Sequence, residues 1–222
     1  MGKGGPVLRL RFRKTGKAKY ISHLALMATM TRALRRADIK LYFSEGFNPH
    51  PYISVALPLQ VGCGSICELM DVGTELDSVP DEFSALINTV LPEGLEIIEA
   101  YKPERKFSEI TWIELKGALY YDMPVLSNIA GELTGFFASE NIVISKRTKS
   151  GVSDIDIAPY IRDIIFNGSD PTTLNIKVSA QNPSISAENV ISALDGDFRL
   201  IKPEYTSFTR INMFDGDLKI FK

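Results

Sequence analysis

The order of elements that can be read along this chain occurs twice. Val7 to Lys14 alternates Leu8, Leu10 and Phe12 against Arg9, Arg11 and Arg13, the period of a half-buried strand with a cationic outer face. Ser22 has the chemistry of an N-cap, and the spacing of Leu26, Met27, Met30, Ala33, Leu34 and Ala37 predicts a helix from about His23 to Ala37. Strands are expected over Ile39 to Ser44, Tyr52 to Leu59, Cys67 to Leu76 and Leu95 to Tyr101, with a helix over Pro80 to Val90. A polar linker follows, Lys102 to Ser108, carrying Pro103.

Beyond the linker the pattern returns. Thr111 to Tyr121 reads as a strand and about Val125 to Ser139 as a helix. Ile142 to Lys146 and Asp154 to Ile157 read as strands on either side of a basic turn ending at Gly151, and Pro159 to Phe166 is ambiguous. Leu174 to Ala180, a helix over Ser184 to Leu194 and a strand near Ser207 to Met213 complete the set. The first strands start 104 residues apart, at Val7 and Thr111, and so do the second helices, near Pro80 and Ser184. A βαββαβ order is that of the ferredoxin-like split unit. The expected fold is therefore α+β: two ferredoxin-like units packed together, residues 1–102 and 109–222, duplicated in pattern. One continuous mixed sheet is the competing arrangement.

The 222 residues are 45% hydrophobic with a mean hydropathy near zero, enough for a normal core. No run of 18 apolar residues occurs and the glycine-rich start lacks the apolar stretch of a signal peptide, so no membrane span and a cytoplasmic location are expected. Cys63 and Cys67 are too few for a disulfide scaffold. The net charge of −2 conceals an asymmetry. Residues 1–40 hold eleven Lys or Arg and one acid, Asp38, whereas residues 41–101 hold ten acids and no Lys or Arg. Either the two segments match each other inside the fold, or a basic face awaits an anionic partner.

The segment Ser44-Glu45-Gly46-Phe47-Asn48-Pro49-His50-Pro51 sets side chains of unusual chemistry on a stiff backbone. Each proline fixes its own φ and pushes the residue before it toward extended backbone, while Gly46 permits a turn others resist. Phe47, Asn48 and His50 are thus held in set directions. They join Ser22, His23 and Tyr52 as candidate binding residues. Arg9, Arg11, Arg13, Lys17 and Lys19, with Arg32, Arg35 and Arg36 near the helix end, are the candidate cations for an anionic partner.

Three stretches together, Ile21-Ser22-His23-Leu24, Arg32-Ala33-Leu34-Arg35-Arg36-Ala37 and Ser44 to Pro51, resemble a known family, as do Leu57-Pro58-Leu59 and Val61-Gly62. The chain is similar to the bacterial radical-SAM-linked proteins of the DUF2344 type, whose biochemical function is uncharacterised. The resemblance is strong over roughly residues 8–75. It is weaker at Asp154-Ile155-Asp156-Ile157, Pro159-Tyr160-Ile161 and Thr209-Arg210. It implies a partner, a radical SAM protein of the B12-binding type. Ala25 stands where the family commonly has an acid after His-Leu, and Cys63-Gly64-Ser65-Ile66-Cys67 is more apolar than the family's stretch there.

Two cysteines cannot supply the three thiolates of a radical SAM cluster, so the chain is not expected to be that enzyme itself. Cys63, Cys67, His23 and His50 are the right ligand types for zinc, but their spacing is not a zinc pattern, and no metal or other cofactor is expected. No phosphate-cradling glycine motif follows a strand. Three functions remain. The first is an accessory protein that positions a substrate, RNA or a ribosome-related component, for the radical SAM enzyme. The second is a metal-independent RNA-processing enzyme with His23 and His50 as acid and base. The third is a protein–protein adaptor. In the RNA readings Arg9, Arg11, Arg13, Lys14, Lys17 and Lys19 contact phosphates and Phe47, Tyr42 or Tyr52 stack on bases.

Overall fold

The structure, a computed structural model, describes residues 6–122, 128–148, 151–168, 171–195 and 202–222. The glycine-rich start, the expected beginning of the third helix at Val125 and the centre of the basic turn at 149–150 lie outside these residues. The chain is α+β and divides into two compact units, residues 1–109 with Lys222, and residues 110–221. The expected linker is therefore part of the first unit. Its Phe107 lies under the Arg9 guanidinium, 4.2 Å from Cζ to the ring centroid.

In the first unit the elements run β1 (Val7–Lys14), α1 (His23–Arg36), β2 (Ile53–Val55), β3 (Gly64–Gly73), α2 (Phe83–Asn88) and β4 (Leu95–Tyr101). The strands pair antiparallel in the order β4-β1-β3-β2. Leu8, Leu10 and Phe12 turn inward as their period dictates, and pack with Met30, Leu34, Met70, Phe83, Ile87 and Ile97 in one core. Ser22 caps α1, its Oγ accepting the Ala25 N–H at 3.2 Å, a contact worth about 1 kcal/mol. Asp38 closes the other end in the left-handed region at φ 58°, while Ile39 N–H reaches back to Leu34 O. Asn88 binds both the N–H and the C=O of Ile97, tying the end of α2 to β4.

The expected strand at Ile39 to Ser44 is reduced to two isolated bridges, Leu41–Thr74 and Phe43–Pro51, and β2 is far shorter than Tyr52 to Leu59. For β2 the cause is local: Pro51 and Pro58 have no N–H to give a ladder, so its pairing is confined to the residues between them.

In the second unit β5 (Trp112–Tyr120), α3 (Ile129–Phe137), β8 (Ile161–Asn167), β9 (Thr172–Ser179), α4 (Ala187–Ser192) and β10 (Tyr205–Phe214) give antiparallel strands in the order β10-β5-β9-β8. The hairpin β6 (Val143–Thr148) and β7 (Gly151–Asp156) forms a sheet of its own between α3 and β8. With that hairpin set aside, both units place their strands as fourth, first, third, second. The ambiguous segment at Pro159 becomes a 3-10 turn, Ala158–Tyr160, leading into β8. Ser186 caps α4 in a reciprocal box with Asn189.

Candidate functional site

The proline-bounded loop is built on backbone contacts made at its base. Tyr42 N–H donates to Gly73 O, Gly73 N–H to Tyr52 O and Tyr52 N–H to Tyr42 O, a three-way clasp at the end of β3. A Cβ on Gly73 would come within 2.9 Å of the Tyr52 Cβ, so only glycine lets the strand approach this closely. Ser44 then shuts the loop. Its N–H donates to His50 O at 2.8 Å and its Oγ accepts the His50 N–H at 2.9 Å. Gly46 turns the chain at φ +120°. Phe47 is carried at the tip, fully exposed at 112% of its reference area. Asn48 and His50 are exposed, and neither side chain makes a hydrogen bond among the described residues.

Strand register fixes where this loop lies. Gly73 pairs with Val7, at the start of β1. His23 lies at the other end, because Lys14, the last residue of β1, donates its Nζ to Lys19 O and Ile21 O, both at 3.1 Å. Seven steps of strand separate Val7 from Lys14, roughly 20 Å. Ser22 and His23 are therefore not brought to the loop, and His23 and His50 do not form an acid–base pair in this geometry. What joins the loop is the C-terminal end of α1, since Lys40 O accepts from Thr74 next to Gly73. Arg32, Arg35 and Arg36 are exposed there, with no carboxylate partner among the described residues. Phe43 and Tyr52, in the loop's base, are half exposed. The result is an aromatic and cationic end on a rigid base.

The arginines of β1 behave differently. Arg9 is 1% exposed and binds the Asp71 carboxylate through Nε and Nη2, at 2.7 and 2.9 Å. Arg11 meets Glu99 at 4.0 Å and Arg13 meets Glu96 at 3.3 Å. Arg9 is thus corrected from a partner-facing cation to a buried one, shielded by Phe107. The acids of residues 68–99 answer the basic strand inside the fold. Lys17 is exposed, and Lys19 lies over the Tyr20 ring at 5.1 Å.

Lys14 is corrected, like Arg9, from a phosphate-facing cation to a buried one, and an acid is buried with it. Lys14 and Glu68 are each 1% exposed at the His23 end of the core. Burial holds the Lys14 ammonium below the usual lysine range, against the opposing pull of Glu68 and Cys63. Lys14 shares the parity of Leu8, Leu10 and Phe12, so the alternation of β1 itself turns it inward. Ser44, the clamp of the loop, was also missed; an Ser six residues before a histidine carries no recognisable signal. Cys63 and Cys67 are buried and not joined in a disulfide, and no cluster of three metal-ligating side chains exists among the described residues. No helix among them is long and apolar enough to cross a membrane.

A family model described as an uncharacterized protein conserved in bacteria (DUF2344) matches residues 8–190. Among solved structures, the chain is similar to one in the crystal structure of a Cbf5-Nop10-Gar1 complex, with a TM-score of 0.50 and 10% identity over 96% of this chain and 50% of that one. The chain thus spans about half the length of that relative, and the likeness is one of fold alone. An unknown protein from Galdieria sulphuraria is matched with a TM-score of 0.26 and 11% identity, over 92% of this chain and 96% of that one. A dye-decolorizing protein from V. cholerae is matched with a TM-score of 0.21 and 10% identity, over 95% and 93%. Neither of these two carries an argument. No curated protein matches the chain.

Proposed function

The chain belongs to the DUF2344 family, and we propose that it is a non-catalytic, cytoplasmic partner of a B12-binding-type radical SAM protein, holding a substrate for that enzyme. In this reading both units are ferredoxin-like and descend from one βαββαβ pattern, as their shared strand order supports. The partner docks on the loop end of the first unit. The observation that carries this is Phe47. An aromatic ring fully exposed at the tip of a loop stiffened by two prolines and clamped by Ser44 serves no packing role in the chain itself. It is pre-organised to enter a pocket elsewhere, and so spends little conformational entropy on binding. Arg35 and Arg36, at the same end of the unit, suit an acidic rim on the partner, which speeds encounter more than it strengthens the complex.

The acid–base reading of His23 and His50 draws no support from their separation. The test is binding of the purified chain to its cognate radical SAM protein, measured by calorimetry. Phe47→Ala should remove roughly 2 kcal/mol, about thirtyfold in Kd, with the unfolding midpoint unchanged. An unaltered Kd for this variant, or no binding by the wild-type chain, sinks the proposal.

A further inference from the structure

Pairing register shows that the second unit carries a polar sheet face that its core does not use. Ile113, Leu115 and Leu119 point to the core, so Trp112, Glu114, Lys116 and Tyr120 share the opposite face of β5. Across the four strands this face presents two ranks. One is Asn212, Glu114, Lys177 and Arg162; the next is Thr209, Lys116, Asn175 and Ile165.

The acids of this face are already satisfied. Glu114 accepts the Asn175 amide at 3.2 Å and the Asn212 amide at 2.8 Å, and Asp163 pairs with Lys177 at 2.6 Å. Lys116 and Arg162 are exposed and have no carboxylate partner among the described residues, so the residual charge is positive. Aromatic rings stand at both ends of β5. Trp112 lies under the Arg162 guanidinium at 4.3 Å, and Tyr120 faces its cross-strand partner Tyr205 at 5.5 Å between centroids. Tyr120 is 38% and Tyr205 53% exposed. Eight strand steps part Trp112 from Tyr120, roughly 25 Å, room for several nucleotides.

We infer that this face binds single-stranded RNA. Cations take the phosphates, aromatic and guanidinium planes take unstacked bases, and the Thr209 and Ser207 hydroxyls are donors and acceptors for 2′-OH groups and base edges. A duplex keeps its base faces stacked, so the aromatic and guanidinium planes have nothing to stack on there. The inference deepens the reading above by naming RNA as the substrate that the accessory chain holds, and its test needs no radical SAM protein, so either can fail alone.

The test is fluorescence anisotropy of a labelled mixed-sequence 12-nucleotide RNA with the full chain at low salt. Matched duplex RNA and single-stranded DNA serve as comparators. Single-stranded RNA should bind tightest, and less tightly as salt rises. Lys116→Glu and Tyr205→Ala should each weaken binding tenfold or more with the unfolding midpoint held, whereas Lys106→Glu, an equal charge change on the first unit, should leave it in place. No binding at low salt overturns the inference. So does equal affinity for duplex or for DNA, and so does a Lys106→Glu loss as large as that of Lys116→Glu.

Discussion

Arg9 lies where the alternation of β1 puts it, away from Leu8 and Leu10, yet it is as buried as they are. Alternation assigns a face; it does not say whether that face is covered. Here Phe107 covers it, and Asp71, opposite Arg9 in the ladder, supplies the counter-charge. A guanidinium taken from water is costly unless its partner is in place. Arg9→Met should therefore destabilise the chain by about 3 kcal/mol by leaving Asp71 unanswered, and a second change, Asp71→Leu, should recover much of that loss. Urea unfolding of the single and double variants measures both. A single-variant cost below about 1 kcal/mol, the range of an exposed pair, shows that the burial has been misjudged.

At the scale of elements, the loop from Ser44 to Pro51 was legible as rigid, because prolines and glycine act on their own backbone. Its location was not. A loop beside a histidine in sequence is not beside it in space when a helix of 14 residues intervenes. The Ser44 clamp gives the loop a testable hinge. Ser44→Ala removes the acceptor of the His50 N–H and should cost about 1 kcal/mol. Hydrogen exchange at the His50 amide should accelerate while core amides of β1 keep their protection. Unchanged exchange at His50 means that the prolines hold the loop without the serine.

For the whole molecule, the opposed charges of residues 1–40 and 41–101 meet as ion pairs: Arg9–Asp71, Arg11–Glu99, Arg13–Glu96 and Lys40–Glu75. The three besides Arg9–Asp71 are partly or largely exposed and individually weak. Together they should make stability sensitive to screening. Raising sodium chloride from 50 to 500 mM should lower the urea unfolding free energy by about 1 kcal/mol, since exposed pairs are screened within a Debye length. A rise in stability with salt over that range means that net repulsion, not pairing, dominates the charges.

The sequence by itself determined most of the elements, though not the strand expected at Ile39 to Ser44, together with the inward face of β1 and the cap of α1. Each rests on forces between residues near one another in the chain: period, propensity and φ restriction. Tertiary structure decided which strands are neighbours, that the linker joins the first unit, and that Arg9 and Lys14 are buried. It also decided that Arg32, Arg35 and Arg36, rather than His23, share an end with Phe47. These depend on contacts between residues far apart in sequence, and burial of a charge depends on a partner that local pattern does not contain.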